Sequence, residues 1–354
     1  MTSSQLRVLV VGCGHMGASH ALAYDKHPGF QIVGLVSRGS SKNKLNHLLA
    51  QPVSLYDDFH QALTQSDCQA VCISTYPDTH ESYALAALEA GCHVFLEKPM
   101  AITAQGAERI RSSAEENQKK LVVGYILRHH PVWQRFVVEA QNLGKPLVMR
   151  MNLNQQSHGN EWAVHKKLME SLSPIVDCGV HYLDIMCQMT QAKPVAVSAI
   201  GVRLTPEIDK TQYNYGQLQI RFDDGSVGWY EAGWGPMMSE TAFFVKDVIG
   251  PSGSVSLVQD TQKSDDVAGH TKSDVLLKHH ADLDDKGHWK HQDHRTIWEQ
   301  TPDHQGLCDL EQEYFYQAIV QDLDLSQHVL EAVDSLKIAL ACDESVKTGQ
   351  TVFL

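Results

Sequence analysis

The chain has 354 residues, of which 43% are hydrophobic, and its 29 Lys and Arg against 42 Asp and Glu give a formal net charge of −13. That length and apolar content can bury a sizeable core and favour two domains. The acidity, with no window rich in Lys or Arg, argues against nucleic acid or an anionic membrane as partner.

No apolar run reaches the ~18 residues of a membrane span, and no signal-peptide stretch precedes the first strand-like segment. The eight cysteines form no CxxC pair. A cytoplasmic protein with structural thiols is therefore expected. The 20 histidines are the unusual feature, compatible with a metal site, with proton chemistry or with neither.

The first 125 residues alternate short β-branched runs with helical patterns. Strands are predicted at 6–11, 31–36, 70–74, 93–96 and 121–125, nearly continuously apolar as in a parallel sheet covered on both faces. Helices are predicted at 18–27, 57–65, 80–90 and 104–119. The first is stopped by Pro28-Gly29 and the third by Gly91. Strand, helix, strand with short connections is the pattern of a doubly wound α/β domain.

Gly12-Cys13-Gly14-His15-Met16-Gly17 directly follows the first strand and opens a helix. Gly12 permits the tight turn, Gly14 lets backbone approach a pyrophosphate, and Gly17 allows close helix–strand packing, with phosphates over the helix N-terminus. All six residues are expected beside a dinucleotide. At the end of the second strand, where a carboxylate would bind a ribose 2′-hydroxyl, the sequence has Ser37-Arg38-Gly39-Ser40-Ser41-Lys42. Ser37 and Arg38, with Lys42 nearby, suit a 2′-phosphate and favour NADP over NAD. Arg38 as a plain solvated loop charge is the competing reading. Past the strand at 93–96 stands Glu97-Lys98-Pro99-Met100, at the carboxyl end of the sheet where ligands of open α/β sheets bind.

Beyond residue 126 the pattern changes. A helix at 131–142 and a strand at 147–154 precede a helix at 174–190, opened by Pro174 with Ser173 as N-cap. On that helix Asp177 and His181 are four apart and share a face, with Asp184 one turn on, while Val176, Val180, Leu183 and Cys187 form the apolar side. A substrate-facing helix needs such a polar stripe, though an ordinary solvated helix shows one too. Residues 195–258 read as long strands with a hairpin at Asp223-Asp224-Gly225-Ser226. The expected second domain is thus α+β, an open, mainly antiparallel sheet with helices on one side. Residues 260–305 are polar and read as loops with short edge strands, and helices at 306–321 and 326–347 close the chain. The domains are set at 1–126 and 127–354, the closing helices being candidates to pack back on the first.

The segment 152–165 reads as a loop whose Gln155, Asn160, Trp162 and His165 offer amides and an aromatic plate to a sugar, or simply to solvent. The aromatic run 228–238 suits packing or an oligomer face. His288, His291 and His294 are spaced H-x2-H-x2-H but lack cysteine or helical geometry, so no metal is assigned.

Gly12 to Gly17, Cys72-Ile73-Ser74-Thr75-Tyr76-Pro77-Asp78-Thr79-His80, Glu97-Lys98-Pro99, Gly124-Tyr125 with Arg128, and Asp177-Cys178-Gly179-Val180-His181-Tyr182-Leu183-Asp184, in this order, resemble the glucose–fructose oxidoreductase/inositol dehydrogenase (Gfo/Idh/MocA) family. The resemblance spans essentially the whole chain. It implies a Rossmann domain followed by an α/β domain whose open sheet makes a homodimer or homotetramer, with NAD or NADP as cofactor and a sugar or cyclic polyol as substrate. It places Ser74, Thr75, His80, Glu97 and Lys98 on the cofactor side. It further implies Lys98, Asp177 and His181 in the active site, with Tyr125, Arg128 and His129 bordering it, and a cis Lys98–Pro99 bond. Two departures are Ser173-Pro174 in place of a Gly-rich run, and Ser37-Arg38.

Oxidising an alcohol needs a hydride acceptor and a base for the hydroxyl proton. His181 titrates in the right range, Asp177 can accept its other N–H or a substrate hydroxyl, and Lys98 can stabilise alkoxide charge or carry the proton itself. Relatives that use transient oxidation for elimination or glycoside cleavage, and non-catalytic cofactor-sensing regulators, are the alternatives.

Overall fold

The structure, a computed structural model, describes residues 5–239, 245–258 and 274–354. Its residues group into two units, Met1–Ile126 with Pro302–Val333, and Leu127–Thr301 with Asp334–Leu354. Residues 260–273 of the polar stretch expected to form loops lie outside the described residues.

In the first unit the apolar runs become β1 (Leu6–Val11), β2 (Phe30–Val36), β3 (Ser54–Tyr56), β4 (Ala70–Ile73), β5 (His93–Glu97) and β6 (Leu121–Gly124), parallel throughout in the order β3-β2-β1-β4-β5-β6. Val8, Leu9, Val10, Val71, Cys72, Ile73, Val94 and Leu96 are fully buried, as runs covered on both faces require. The crossovers are α1 (His15–Lys26), α2 (Ser41–Asn46), α3 (Phe59–Gln65), α4 (Pro77–Glu89) and α5 (Ala104–Glu116). Asp58 caps α3 by accepting from Gln61 N–H at 2.8 Å, and Thr103 caps α5 by accepting from Gly106 N–H at 3.0 Å. Strand β3 and helix α2 were not predicted: β3 is a three-residue edge strand with two exposed residues, too short and polar to show period-two patterning.

The second unit carries α6 (Pro131–Gln141), β7 (Val148–Gln155), α7 (Gly159–Leu168), a π-helical turn at Ile175–Gly179 that runs into α8 (Val180–Thr190), then β8 (Pro194–Val202), β9 (Tyr215–Phe222), β10 (Val227–Trp234), β11 (Lys246–Gly250), β12 (Gly253–Val258), β13 (Val275–His280) and β14 (His294–Ile297). Helices α9 (His304–Val320) and α10 (Ser326–Thr348) and the short β15 (Val352–Phe353) follow. Among the described residues nine strands form one sheet in the order β14-β13-β12-β11-β7-β10-β9-β8-β15. All pairs are antiparallel except β7 with β10. The β9–β10 turn closes at Gly225, whose φ of 84° needs glycine.

The stretch expected to be a loop at 152–165 is instead the end of β7 followed by α7. The polar face of that helix gave no apolar period to read. The helix expected over 174–190 begins with a wider π turn, which periodicity cannot distinguish from α. No helix of the described residues is long and apolar enough to cross a membrane.

Candidate active site

The glycine turn lies at the point where the order of the parallel sheet reverses, between β1 and β4. Gly12 has φ +93°, and a Cβ there would stand 2.3 Å from the Ser74 carbonyl oxygen; one at Gly17 would stand 1.8 Å from the Gly12 carbonyl oxygen. Neither position has room for a side chain, because strand, turn and helix pack backbone to backbone. Nothing lies within 4 Å of a Cβ at Gly14, and α1 starts there without a side-chain cap. The first amides of α1 are thus available to an anion on an open face. A pyrophosphate fits this cradle. His15 is exposed beside it, 5.5 Å from the His304 ring, and Met16 is half-buried. The Cys13 thiol points inward to the Val36 carbonyl at 3.5 Å, and burial pushes it up to about 11, so it is a packed thiol rather than a reactive one.

At the end of β2, Ser37 Oγ bonds Ser41 Oγ at 2.8 Å. Lys42 is not available to a 2′-phosphate: its buried ammonium donates to the Ser37 carbonyl at 2.6 Å and the Gly39 carbonyl at 3.1 Å and pairs with Asp57 at 2.5 Å. Sequence proximity could not reveal that partner fifteen residues on. Arg38 is exposed, with no hydrogen bond or ion pair among the described residues.

After β4, Ser74 N–H donates to the Val11 carbonyl at 2.7 Å, and the Thr75 and Thr79 hydroxyls meet at 2.6 Å. His80, expected beside the cofactor, is fully buried. Nδ1 faces the Pro99 carbonyl at 2.8 Å and Nε2 the Thr75 carbonyl at 3.1 Å, so both ring nitrogens face backbone acceptors, of which a neutral ring can bond one. Burial lowers its pKa, outweighing those two acceptors, and a neutral ring results.

Lys98 follows β5, and its bond to Pro99 is cis. Glu97 is buried. Its Oε1 meets His20 Nε2 at 2.7 Å, and its Oε2 accepts the Lys98 backbone N–H at 3.1 Å. Burial pushes this carboxyl up, but the bond from His20, its charge and the neighbouring Lys98 together hold it below the usual range. Glu311, by contrast, is held well above that range by burial and by the Glu97 charge. The two carboxyls are therefore pushed in opposite directions.

Among the described residues, His20, Cys308 and Glu311 bring three metal-ligand atoms within 4.8 Å of one another. Both His20 nitrogens are already engaged, by Glu97 and by Gln312 Nε2 at 2.9 Å, so the group is a hydrogen-bonded core cluster. In the 288–294 stretch, His288 lies 3.4 Å from Asp284 and His291 3.8 Å from Asp282.

In the second unit, Ser173 Oγ accepts the Val176 N–H at 3.1 Å and starts the π turn. Asp177 on that turn and His181 on α8 are both partly exposed, while Val176, Val180, Leu183 and Cys187 are buried. π turns recur at functional sites because they re-aim side chains without ending the helix. Asp184 does not continue the polar stripe. It is buried against Arg128, whose Nε donates at 2.8 Å and whose other nitrogen also bonds it, and Gln188 donates to it at 2.9 Å. Arg128, expected at the pocket border, is thereby committed to a buried ion pair. His129 is held down to about 3 by burial and by Arg128.

Tyr125, in the first unit, is fully buried with its hydroxyl toward the Ala332 carbonyl at 3.5 Å. Of the expected sugar-contacting residues, Asn160 is exposed on α7, whereas Trp162 and His165 are buried; His165 stacks on Trp234 at 4.3 Å.

Sequence reading passed over Lys246 on β11. It is buried, its ammonium donates to the Asn152 carbonyl and lies 4.8 Å above the Tyr182 ring, and burial drives its pKa down to about 7. The signal was present: Lys246 shares the inward phase of its strand with buried Val248. Two strands away, on β10, buried Glu231 accepts from Asn154 at 2.7 Å and from the Tyr215 hydroxyl at 3.1 Å.

A six-stranded parallel sheet in this order, with a glycine turn at its switch point, defines a Rossmann-type dinucleotide-binding unit. Residues 6–125 match the family description "Oxidoreductase family, NAD-binding Rossmann fold" and residues 135–255 "GFO/IDH/MocA C-terminal domain"; the chain belongs to the Gfo/Idh/MocA family. An inositol 2-dehydrogenase from Burkholderia ambifaria (strain MC40-6) is 27% identical over 187 residues, 51% of this chain and 53% of that protein. The match thus spans about half the length of the curated relatives. A crystal structure of an oxidoreductase from Agrobacterium radiobacter in complex with NAD+, L-tartaric acid and magnesium has the same fold, with TM-score 0.79, 17% identity and 99% and 98% of the two chains covered. The apo scyllo-inositol dehydrogenase from Lactobacillus casei gives TM-score 0.78, 19% identity and 100% and 99% coverage.

Proposed function

We propose that the protein is a nicotinamide-dependent oxidoreductase acting on a hydroxyl or carbonyl carbon of a sugar or cyclic polyol. The observation that carries this reading is the cradle at Gly12 and Gly17, where no Cβ fits, open at Gly14 and on the same sheet edge as Lys98. When bound, the nicotinamide supplies the hydride acceptor or donor. Gly12, Cys13 and Gly14 backbone with the first amides of α1 hold the phosphates; His15, Met16, Ser37, Ser74 and Thr75 border the nucleotide.

Arg38, exposed and unpaired among the described residues, supports NADP as the preferred form. The inositol 2-dehydrogenase relatives support a cyclic polyol. Lys98 stabilises charge on the reacting oxygen, and His181, with Asp177 to orient it, moves the hydroxyl proton. In this reading residues 1–126 form the cofactor domain and the later domain takes the substrate.

A homo-oligomer is proposed through the open sheet. In cross-strand register, Val148 lies between Val227 and Ile249, and each of the three is 39% exposed, an apolar row suited to a second copy. A cytoplasmic location is part of the same proposal.

The test is reduction of NAD+ and NADP+ with a panel starting at myo-inositol and extending to scyllo-inositol, aldoses and sugar acids. Stoichiometric cofactor reduction is the expected result. Substrate conversion without net reduction would assign transient oxidation, and binding without conversion a regulator; either replaces the proposal.

A further inference from the structure

Among the described residues His20 on α1 and His80 on α4 are completely buried, and both bond to groups next to Lys98 in sequence. On the near side, His20 Nε2 meets the Glu97 carboxylate at 2.7 Å, and the other oxygen of that carboxylate accepts the Lys98 N–H at 3.1 Å. Because Glu97 titrates below its ordinary range, it can only accept, so the His20 proton is on Nε2. On the other side of the ring, the Gln312 side-chain amide lies 2.9 Å from Nδ1. Gln312, His20, Glu97 and the Lys98 N–H thus form one continuous chain of contacts, with Glu97 accepting at its centre. Gly124 pairs with Glu97 across the sheet, and the Phe95 ring packs on His20 at 4.7 Å.

On the far side, His80 Nδ1 donates to the Pro99 carbonyl at 2.8 Å while its ring abuts the Thr75 carbonyl, the turn that also touches Gly12.

We infer that His20 and His80 are positioning residues that clamp the backbone on both sides of Lys98 and register it to the glycine turn, so that the Lys98 amine is held in one place relative to the nucleotide. The inference rests on the proposed catalytic role of Lys98. It assigns to buried core histidines a part in turnover without contact with substrate. Displacing a reacting group by about 1 Å is enough to lower turnover by about a hundredfold.

The test uses the full chain with His20→Ala, His20→Gln, His80→Ala, His80→Asn and Lys98→Ala. Gln keeps a donor where His20 Nε2 stood and Asn one where His80 Nδ1 stood, so these two variants carry the test if the alanine variants do not fold. Two measurements are made. Hydrogen exchange at the Lys98 amide, without cofactor or substrate, is expected to quicken at least tenfold in His20→Ala and to be restored in His20→Gln. Turnover of myo-inositol with NAD+ is expected to fall at least tenfold in kcat in both alanine variants, with KM for NAD+ within about twofold and partial rescue by His20→Gln and His80→Asn. An unchanged Lys98 exchange rate in His20→Ala overturns the clamp, as does, if the alanine variant is unfolded, a rate quickened at least tenfold in His20→Gln despite its retained donor. Quickened exchange with undiminished kcat per folded molecule overturns its role in turnover. If Lys98→Ala itself turns over normally, the active-site reading fails instead, a result separate from both.

Discussion

Replacing Lys246 by Met removes an amine that burial drives from 10.5 down to about 7. Between those values the unfolded chain holds the proton and the folded chain releases it, so wild-type stability rises with pH from about 7 toward 10 and is lowest, and level, below the folded pKa. At 1.36 kcal/mol per pKa unit the full shift amounts to about 5 kcal/mol against the charged folded form, and the linkage returns about 2 kcal/mol of it between pH 7 and 9. The face of Tyr182 favours the charged amine by at most about 2 kcal/mol, too little to cancel the burial. Urea unfolding of wild type and Lys246→Met at pH 7, 8 and 9 isolates the effect, since every other titrating group is common to both. The stability advantage of the Met variant should shrink by about 2 kcal/mol across that range. A difference independent of pH would show that Lys246 is charged in the folded chain and would refute the reasoning.

Arg38→Ala should raise KM for NADP+ by about tenfold, the scale of one charge-assisted hydrogen bond, and leave NAD+ within about twofold; a wild-type enzyme that prefers NAD+ contradicts the role given to Arg38. Asp184→Asn leaves the buried Arg128 guanidinium without its counter-charge and should destabilise the chain by about 3–5 kcal/mol in denaturant unfolding, whereas a loss under about 1 kcal/mol would mean the pair is open to water. Gly17→Ala forces a Cβ against the Gly12 carbonyl and should cost on the order of 2–4 kcal/mol, read as a lowered thermal midpoint; an unchanged midpoint would mean the turn is looser than described.

The first unit was legible because its signals are local. Continuous apolar runs marked β1, β2, β4, β5 and β6, and the glycine turn could be read from three residues in known flanks. What escaped depended on distance or on weak patterning. Lys42 sits among the phosphate-binding candidates in sequence, but Asp57 claims it. Asp184 falls on the helical phase of Asp177 and His181, yet the ion pair with Arg128, far back in the chain, buries it. Helix α7 buries only Trp162 and His165 and leaves Val164 exposed, so its apolar residues keep no clear period, and the order of the sheet's strands is a matter of long-range pairing that no window contains. Lys246 shows the reverse case: its strand phase marked it as buried, and a charged residue on a buried phase is a signal worth reading.

Single-turnover cofactor reduction with myo-inositol in wild type, Lys98→Ala and His181→Ala, each first shown to be folded and to bind NAD+, decides whether Lys98 and His181 carry the chemistry. Wild type should reduce the cofactor stoichiometrically, and each variant should be slowed by at least about a hundredfold, the usual contribution of a positioned acid, base or charge. Cofactor reduction at the wild-type rate in both variants would contradict the account.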